Sequence, residues 1–490
     1  MLYNIMISIF FRFKNSHQLI IPWLKSSFGV LFWVITIWSC AGYSQYLKTH
    51  QLVISDFAQE QKKIFKNGDF CIIPEKYDPQ LYSETDLKAE EELCLIDFLN
   101  SDSETQHGIC GKIVNTNPGL DIFKFNNKIT STEFEKTQCP AQSNKEQLQT
   151  KKIAKFKQSI SCSYTPSLLA YYHTSRILGG ILNIPPSVLR TIPHHYNLTK
   201  AQQTYQYLQT QPKQTIRYTW ANLIKALTDQ SNAHSKYLMT SNSMFSFGAL
   251  IVNPRKEKPW SELSNDANGI QIDRAKAFQQ TQVFKDLNNL NSVEQISRVV
   301  NQENLQKILM MGDVSDMLII DTLLKQEDRY NNIAFIEEHY LTNSENDVTI
   351  KKISSQEIQQ AENAGAKLNT MKIRRVLLKD NDCGVASEAD ISRTNINLKT
   401  NMLSQIAHMK EKTYKSLLKL ALDMTKTAKA EVFFKKQTLM TSKDYAQFKD
   451  NTLRLAKMLY DKCQSGQLKL DLNEYTHFDP SQKVNWTCAP

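Results

Sequence analysis

The feature that most constrains this chain is residues 312–335, where an apolar run at helical spacing ends in a turn crowded with acidic and amide side chains. Met317, Leu318, Ile320, Leu323 and Leu324 predict a buried helix over about residues 313–325. Asp328, Arg329, Tyr330, Asn331 and Asn332 follow at once, so a rigid element delivers a polar loop to a fixed place. Further on, the strand-forming run Val376, Leu377 and Leu378 leads into Lys379, Asp380, Asn381 and Asp382, and then Gly384. Asp and Asn favour ordinary surface turns through their own side-chain-to-backbone hydrogen bonds. The functional reading therefore rests on both motifs together, in order, each at the end of an apolar element.

Acid, asparagine, strand, acid, glycine is the set that phosphoryl transfer requires. One carboxylate orients the attacking hydroxyl, and an asparagine with a second carboxylate holds the magnesium that bridges the nucleotide phosphates. With these residues in view, Asp313, Asp316, Asp321, Asp328-Arg329 and Asp380-Asn381 resemble the catalytic segments of the secretory-pathway atypical kinases of the Golgi casein kinase type. They resemble phosphoinositide and HipA-like kinases more distantly. The resemblance implies a two-lobed, kinase-like α+β fold with a β-rich N-lobe and an α-rich C-lobe. It also implies Asp328 as catalytic aspartate, Asn332 or Asn331 as metal ligand, Asp380 as the magnesium- or manganese-binding aspartate, and ATP as donor. Tyr330 stands where that family usually has His, and the loop to Asn332 is shorter than in the phosphoinositide kinases.

Upstream, residues 107–127 read as two alternating strands about an Asn117-Pro118-Gly119 turn. Lys124 lies between Phe123 and Phe125 and is the candidate for gripping the α- and β-phosphates. Alternation equally allows Lys124 to face solvent, opposite the two Phe side chains. Residues 128–160, with the basic run Lys151, Lys152, Lys155 and Lys157, read as an exposed insertion. Residues 164–180 read as a buried helix with Pro166 in its first turn and Gly179 at its end. That helix has no Glu to pair with a strand lysine, although its Arg176-Ile-Leu tail and the following Pro185-Pro186 again resemble the same kinases. Helical spacing continues over residues 45–66, 200–240, 398–429 and 442–463, and residues 243–252 read as a buried strand.

Residues 1–27 contain Arg12, Lys14 and Lys25 but no acid, and they precede an apolar run over residues 28–43. This pattern predicts a membrane segment with the body exported, whether as anchor, cleaved signal or a lipidated Cys40. Nine cysteines include no CxxC pair, so a structural zinc site is not expected. The eight outside the apolar run suit disulfides in an extracytoplasmic body, and Cys383 is equally readable as a buried thiol. The net charge of +10 is spread among Asn, Gln and Glu, so a nucleic-acid partner is not expected. The plan is a basic segment over 1–27, a membrane segment over 28–44, and a lead-in over 45–105. An N-lobe over 106–195, a C-lobe over 196–465 and a tail over 466–490 complete it. The function expected is an exported, membrane-anchored kinase acting on a protein or small-molecule hydroxyl. The alternative is an inactive kinase-like scaffold, favoured by Tyr330 and by the missing helix Glu.

Overall fold

The computed structural model describes residues 52–99, 106–114, 116–125, 129–140, 150–254, 256–264, 270–342, 350–386, 394–479 and 487–489. The expected membrane segment and Cys40 lie outside these residues. Among the described residues no helix is long and apolar enough to cross a membrane.

The first half of the body is built on a seven-stranded sheet. Its strands are β1 (Lys62–Ile64), β2 (Phe70–Ile72), β3 (Gln106–Gly111), β4 (Gly119–Phe125), β5 (Lys151–Lys157), β6 (Ser187–Pro193) and β7 (Phe245–Val252). They lie in the order β1-β2-β6-β7-β5-β4-β3, with every neighbouring pair antiparallel. Helices α1 (Glu84–Cys94), α2 (Ser131–Gln138), α3 (Thr165–Ile177), α4 (His194–Gln209) and α5 (Gln214–Thr228) pack around this sheet. Ile109, Leu120, Ile122, Phe156, Val188 and Trp220 form one continuous core there. Helix α3 is buried along its whole length, because its apolar run leaves no polar face wide enough for solvent.

The second half is mainly helical. Among helices α6 (Gln271–Phe278), α7 (Gln302–Leu323), α8 (Glu411–Lys426) and α9 (Ser442–Gln464), α7 packs on a smaller antiparallel sheet, and α9 packs on both α7 and α8. That sheet consists of β9 (Ile333–Thr342) between β10 (Ile350–Ile353) and β11 (Thr370–Leu378), with β8 (Lys258–Pro259) also paired to β9. Helix α7 is the predicted buried helix, begun earlier by the Asn301 side chain, which accepts from Asn304 N at 2.8 Å.

Three expectations are corrected. Residues 45–66 do not form a helix over their described part. Short 3-10 turns at Ile54–Asp56 and Gln59–Gln61 lead into β1, because pairing with β2 satisfies a backbone that a polar isolated helix would leave to water. Residues 151–157 are not an exposed insertion but an interior strand between β4 and β7. Its Ala154 and Phe156 are fully buried in the sheet core, which outweighs the lysines' preference for water. The boundary placed between residues 195 and 196 also does not divide the sheet, since β7 pairs with both β5 and β6 and the lead-in strands extend it through β2.

The eight cysteines of the body pair as Cys71–Cys94, Cys110–Cys139, Cys162–Cys383 and Cys463–Cys488. Cys383 is therefore a bridged residue rather than a buried thiol. The bridge Cys71–Cys94 ties β2 to the end of α1 across 23 residues. Replacing both by Ser is expected to lower the unfolding free energy by about 3 kcal/mol, through the loop-closure entropy returned to the unfolded chain. Guanidinium unfolding of the full chain checks this, and an unshifted midpoint would contradict it.

Candidate active site

Helix α7 stops at Leu323, just ahead of the turn that bears Asp328. Lys325 takes a left-handed conformation with φ of 56°, Gln326 N bonds Asp321 O at 2.9 Å, and Lys325 N bonds Thr322 O at 3.4 Å. This is a Schellman closure with lysine in the position glycine usually takes. Strand β9 starts at Ile333 directly after Asn332, and β11 ends at Leu378, two residues before Asp380. Because Ile333 is paired with Leu378, the antiparallel register brings the two polar turns to the same end of one strand pair.

Arg329 locks those turns together. Its guanidinium is 1% exposed and donates to both oxygens of Asp321, at 2.8 and 3.0 Å. It also reaches Lys379 O at 2.9 Å and Asn381 Oδ1 at 2.7 Å. Tyr171 of α3 donates to Asp321 Oδ1 at 2.7 Å, which closes the remaining side of that carboxylate. Gln326 adds a second tie, accepting from Asp328 N at 3.2 Å and donating to Asp380 O at 3.4 Å. Gly384 is required by close approach, since a Cβ there would lie 2.8 Å from both Leu324 O and Ser167 Oγ.

Asp328 is half-buried and accepts a hydrogen bond from Gln271 Nε2 of α6. Burial pushes its carboxyl above the usual aspartate range, and the charge of Asp382 adds to the effect. Asn332 Nδ2 donates to Asp328 O at 3.0 Å, which leaves its amide oxygen as an acceptor. Asp380 holds a left-handed backbone with φ of 53°, a conformation uncommon for a non-glycine residue and often found at functional turns. Tyr330, in contrast, is 2% exposed and turned into the core, where its hydroxyl bonds Asn397 and its ring lies 4.9 Å from that of Phe278. It is a packing residue.

The sheet contributes the cations, and Lys124 is not among them. Lys124 is exposed on β4, opposite His107 and Lys151, because Phe123 and Phe125 turn inward against Phe134. The ammonium that meets the acidic turn is that of Lys157, at the end of β5. It lies 3.0 Å from Asp380 Oδ1 and 2.9 Å from Asp382 Oδ2, with its side chain 5% exposed. Burial alone would weaken its hold on the proton, but Asp382 and Asp380 outweigh burial and raise its pKa. Burial likewise opposes ionisation of Asp380, and the charges of Lys157, Lys112 and Lys155 overcome it, holding that carboxyl far below the usual range. Two aspartates thus supply the counter-charge that a helix Glu was expected to give. Lys157 also explains a second glycine, because a Cβ at Gly248 of β7 would lie 2.3 Å from Lys157 O.

Sequence reasoning assigns no role to Asp382, Lys157 or Lys112. The signal for Lys157 is present in the alternation of Ala154 and Phe156 within the basic run, which marks a strand. Lys112 is 7% exposed, and the carboxylates of Asp380, Asp121 and Asp382 act on it by charge. Burial and the charge of Lys157 lower its pKa to about 8. A largely buried cation close enough to Lys157 for their charges to interact can receive an anionic oxygen. A narrow cleft is lined by the charged Lys155, Lys157 and Asp380 together with the apolar Ile184, Pro185, Ile251, Val252 and Leu378. Among the described residues no group of three or more His, Cys, Asp or Glu side chains could hold a metal ion alone. The donors present, two carboxylates and an amide oxygen, match the partial shell that magnesium takes when phosphate oxygens complete it.

No protein-family model and no curated protein matches the sequence. Among solved structures, the chain is similar to a crystal structure of the Golgi casein kinase with Mn/ADP bound, at 12% identity and a TM-score of 0.37, over 77% of this chain and 76% of that one. A second crystal structure of the Golgi casein kinase is matched at 11% identity and a TM-score of 0.39, over 79% and 78% of the two chains. Similarity at that level decides nothing about activity, which the side chains of the site itself must carry.

Removing one partner of a buried ion pair strands the other, so Arg329→Met is expected to lower the unfolding free energy by roughly 3–5 kcal/mol. Urea unfolding checks this. Lys112 has a folded pKa of about 8 against an ordinary 10.5, so its contribution to stability is present above 10.5 and lost as pH falls through 8. Lys112→Met should therefore raise the melting temperature of the nucleotide-free protein at pH 7, with a difference that shrinks between pH 8 and 10.5. Equal melting temperatures across that window would refute the assignment.

Proposed function

We propose that this chain is an exported, membrane-anchored atypical kinase that transfers the γ-phosphoryl group of ATP to a protein or small-molecule hydroxyl. One observation carries the reading: Lys157, from the sheet, sits between Asp380 and Asp382, on a turn bonded to the one that bears Asp328 and Asn332.

In this reading Lys157 takes the phosphate-gripping role expected of Lys124, with Lys112 and Lys155 as further cations. The apolar strip of Ile184, Ile251, Val252 and Leu378 receives the base. Asp380 and the amide oxygen of Asn332 hold magnesium or manganese, with Asp382 as a second carboxylate. Held by these residues, magnesium or manganese would supply positive charge to offset that of the transferring phosphoryl group. Asp328 accepts the hydrogen bond of the acceptor hydroxyl and aligns it for in-line attack, and its ionised form is the competent one. Gln271 fixes the rotamer of that carboxylate. Four disulfides support an oxidising, extracytoplasmic setting, and the basic residues before the apolar run at 28–43 support the membrane anchor.

Thermal shift of the full chain with ATP and Mg²⁺ or Mn²⁺ tests the proposal. Metal-dependent stabilisation of several degrees is expected for the unsubstituted protein and for Lys124→Met, and its loss for Asp380→Asn. No stabilisation by any nucleotide and metal would turn the reading to a non-catalytic scaffold.

A further inference from the structure

The connection between β3 and β4 carries Lys112 toward the acidic turn, and a loop in that position must find donors for its carbonyls away from the sheet. Lys112 N is satisfied by Gly119 O at 2.9 Å, which closes the strand ladder. Beyond that point helix α5 and the residue before it supply three donors. Trp220 Nε1 bonds Lys112 O at 3.1 Å, Lys213 Nζ bonds Ile113 O at 3.0 Å, and the Thr219 hydroxyl proton lies between Thr116 O at 2.6 Å and Ile216 O of its own helix at 2.8 Å. Trp220 is 1% exposed and belongs to the sheet core, so its indole is a fixed post. On the far side of the same connection, Asn117 Nδ2 lies 3.2 Å from Cys162 Sγ and 3.4 Å from Asp382 Oδ2. The connection is thus held from behind by one helix and in front by the metal turn and its disulfide.

We propose that α5 is the positioning element for the phosphate subsite: Lys213, Thr219 and Trp220 set where Lys112 and Asn117 stand relative to the nucleotide phosphates. The inference rests on the kinase reading and deepens it. None of the three touches the nucleotide. Their effect passes through the backbone of Lys112, Ile113 and Thr116, so it falls on the phosphates and not on the base. Lys213 and Trp220 also separate this role from generic surface bonding, since one directs an ammonium and the other a buried indole at consecutive carbonyls of one loop.

The test measures dissociation constants of the full chain by calorimetry for ATP with Mn²⁺ and, separately, for adenosine. Thr219→Val keeps shape and removes one hydrogen bond, and is expected to weaken ATP about fivefold while leaving adenosine unchanged. Thr219→Ser should restore the ATP value, and Trp220→Phe should behave as Thr219→Val. In a Lys112→Met background Trp220→Phe should add little further loss, because Trp220 acts on the carbonyl of Lys112 itself, whereas Thr219→Val should still weaken ATP through Thr116 and Asn117. Unaltered ATP binding by both Thr219→Val and Trp220→Phe, equal loss for ATP and adenosine, or full additivity of Trp220→Phe with Lys112→Met would each overturn the inference while leaving the kinase reading in place. Failure of the unsubstituted chain to bind ATP would overturn both.

Discussion

The Arg329 guanidinium, buried against Asp321, is the interaction on which the rest of the site depends. Asp321 belongs to a helix, Arg329 to the turn after it, and the remaining donors of Arg329 go to Lys379 O and Asn381 Oδ1 on the turn after β11. A guanidinium suits this junction because its planar fork can serve a carboxylate and two further acceptors at once, which a lysine ammonium cannot do in fixed directions. Taking such a pair out of water is costly, and the cost is offset only because every partner is bonded, Tyr171 included. The consequence is mechanical. Asp328 and Asp380 cannot drift apart without breaking a fully satisfied buried network.

A second ionic junction joins the sheet to that network. Lys157 ends a strand whose apolar residues are in the sheet core, and its ammonium is neutralised by Asp380 and Asp382 from the helical half. Lys112 and Lys155 also act on Asp380 by charge, and Asp121 and Asp382 act on Lys112 in turn, so cations and carboxylates form one interacting cluster. Burial weakens the hold of Lys112 on its proton, so stability is held back at a residue that would hold phosphate, as is common where function and folding compete for one side chain.

The chain's largest misdirection lies in its lysines. Lys124 between two Phe residues has the sequence environment of a buried cation, yet strand alternation turns it outward once Phe123 and Phe125 pack on Phe134. Lys157 stands in a basic, polar stretch with the composition of a surface insertion, yet β4 and β7 flank that stretch and bury it. Composition reports the average solvent preference of a segment. It does not report which neighbours the segment will acquire, and for a strand in the middle of a sheet those neighbours decide. Tyr330 shows the same limit, since a position that invited a catalytic comparison proves to be a core contact.

The sequence alone determined what local spacing and chemistry can determine. It marked the helix that ends before Asp328, the strand that ends before Asp380, the turn character of both motifs, the buried helix after residue 164, and eight cysteines able to pair. These follow from short-range periodicity and from the backbone preferences of Asp, Asn and Gly, which act within a few residues. Tertiary structure decided the rest: the register of Ile333 against Leu378 that unites the two turns, the partners of each disulfide, and that Lys157 and not Lys124 meets the acidic turn. It also decided the grip of α5 on the loop of Lys112. Each of these depends on which distant segments share a sheet edge or a core, and pairings between segments far apart in the chain leave no periodic trace in the residues that make them.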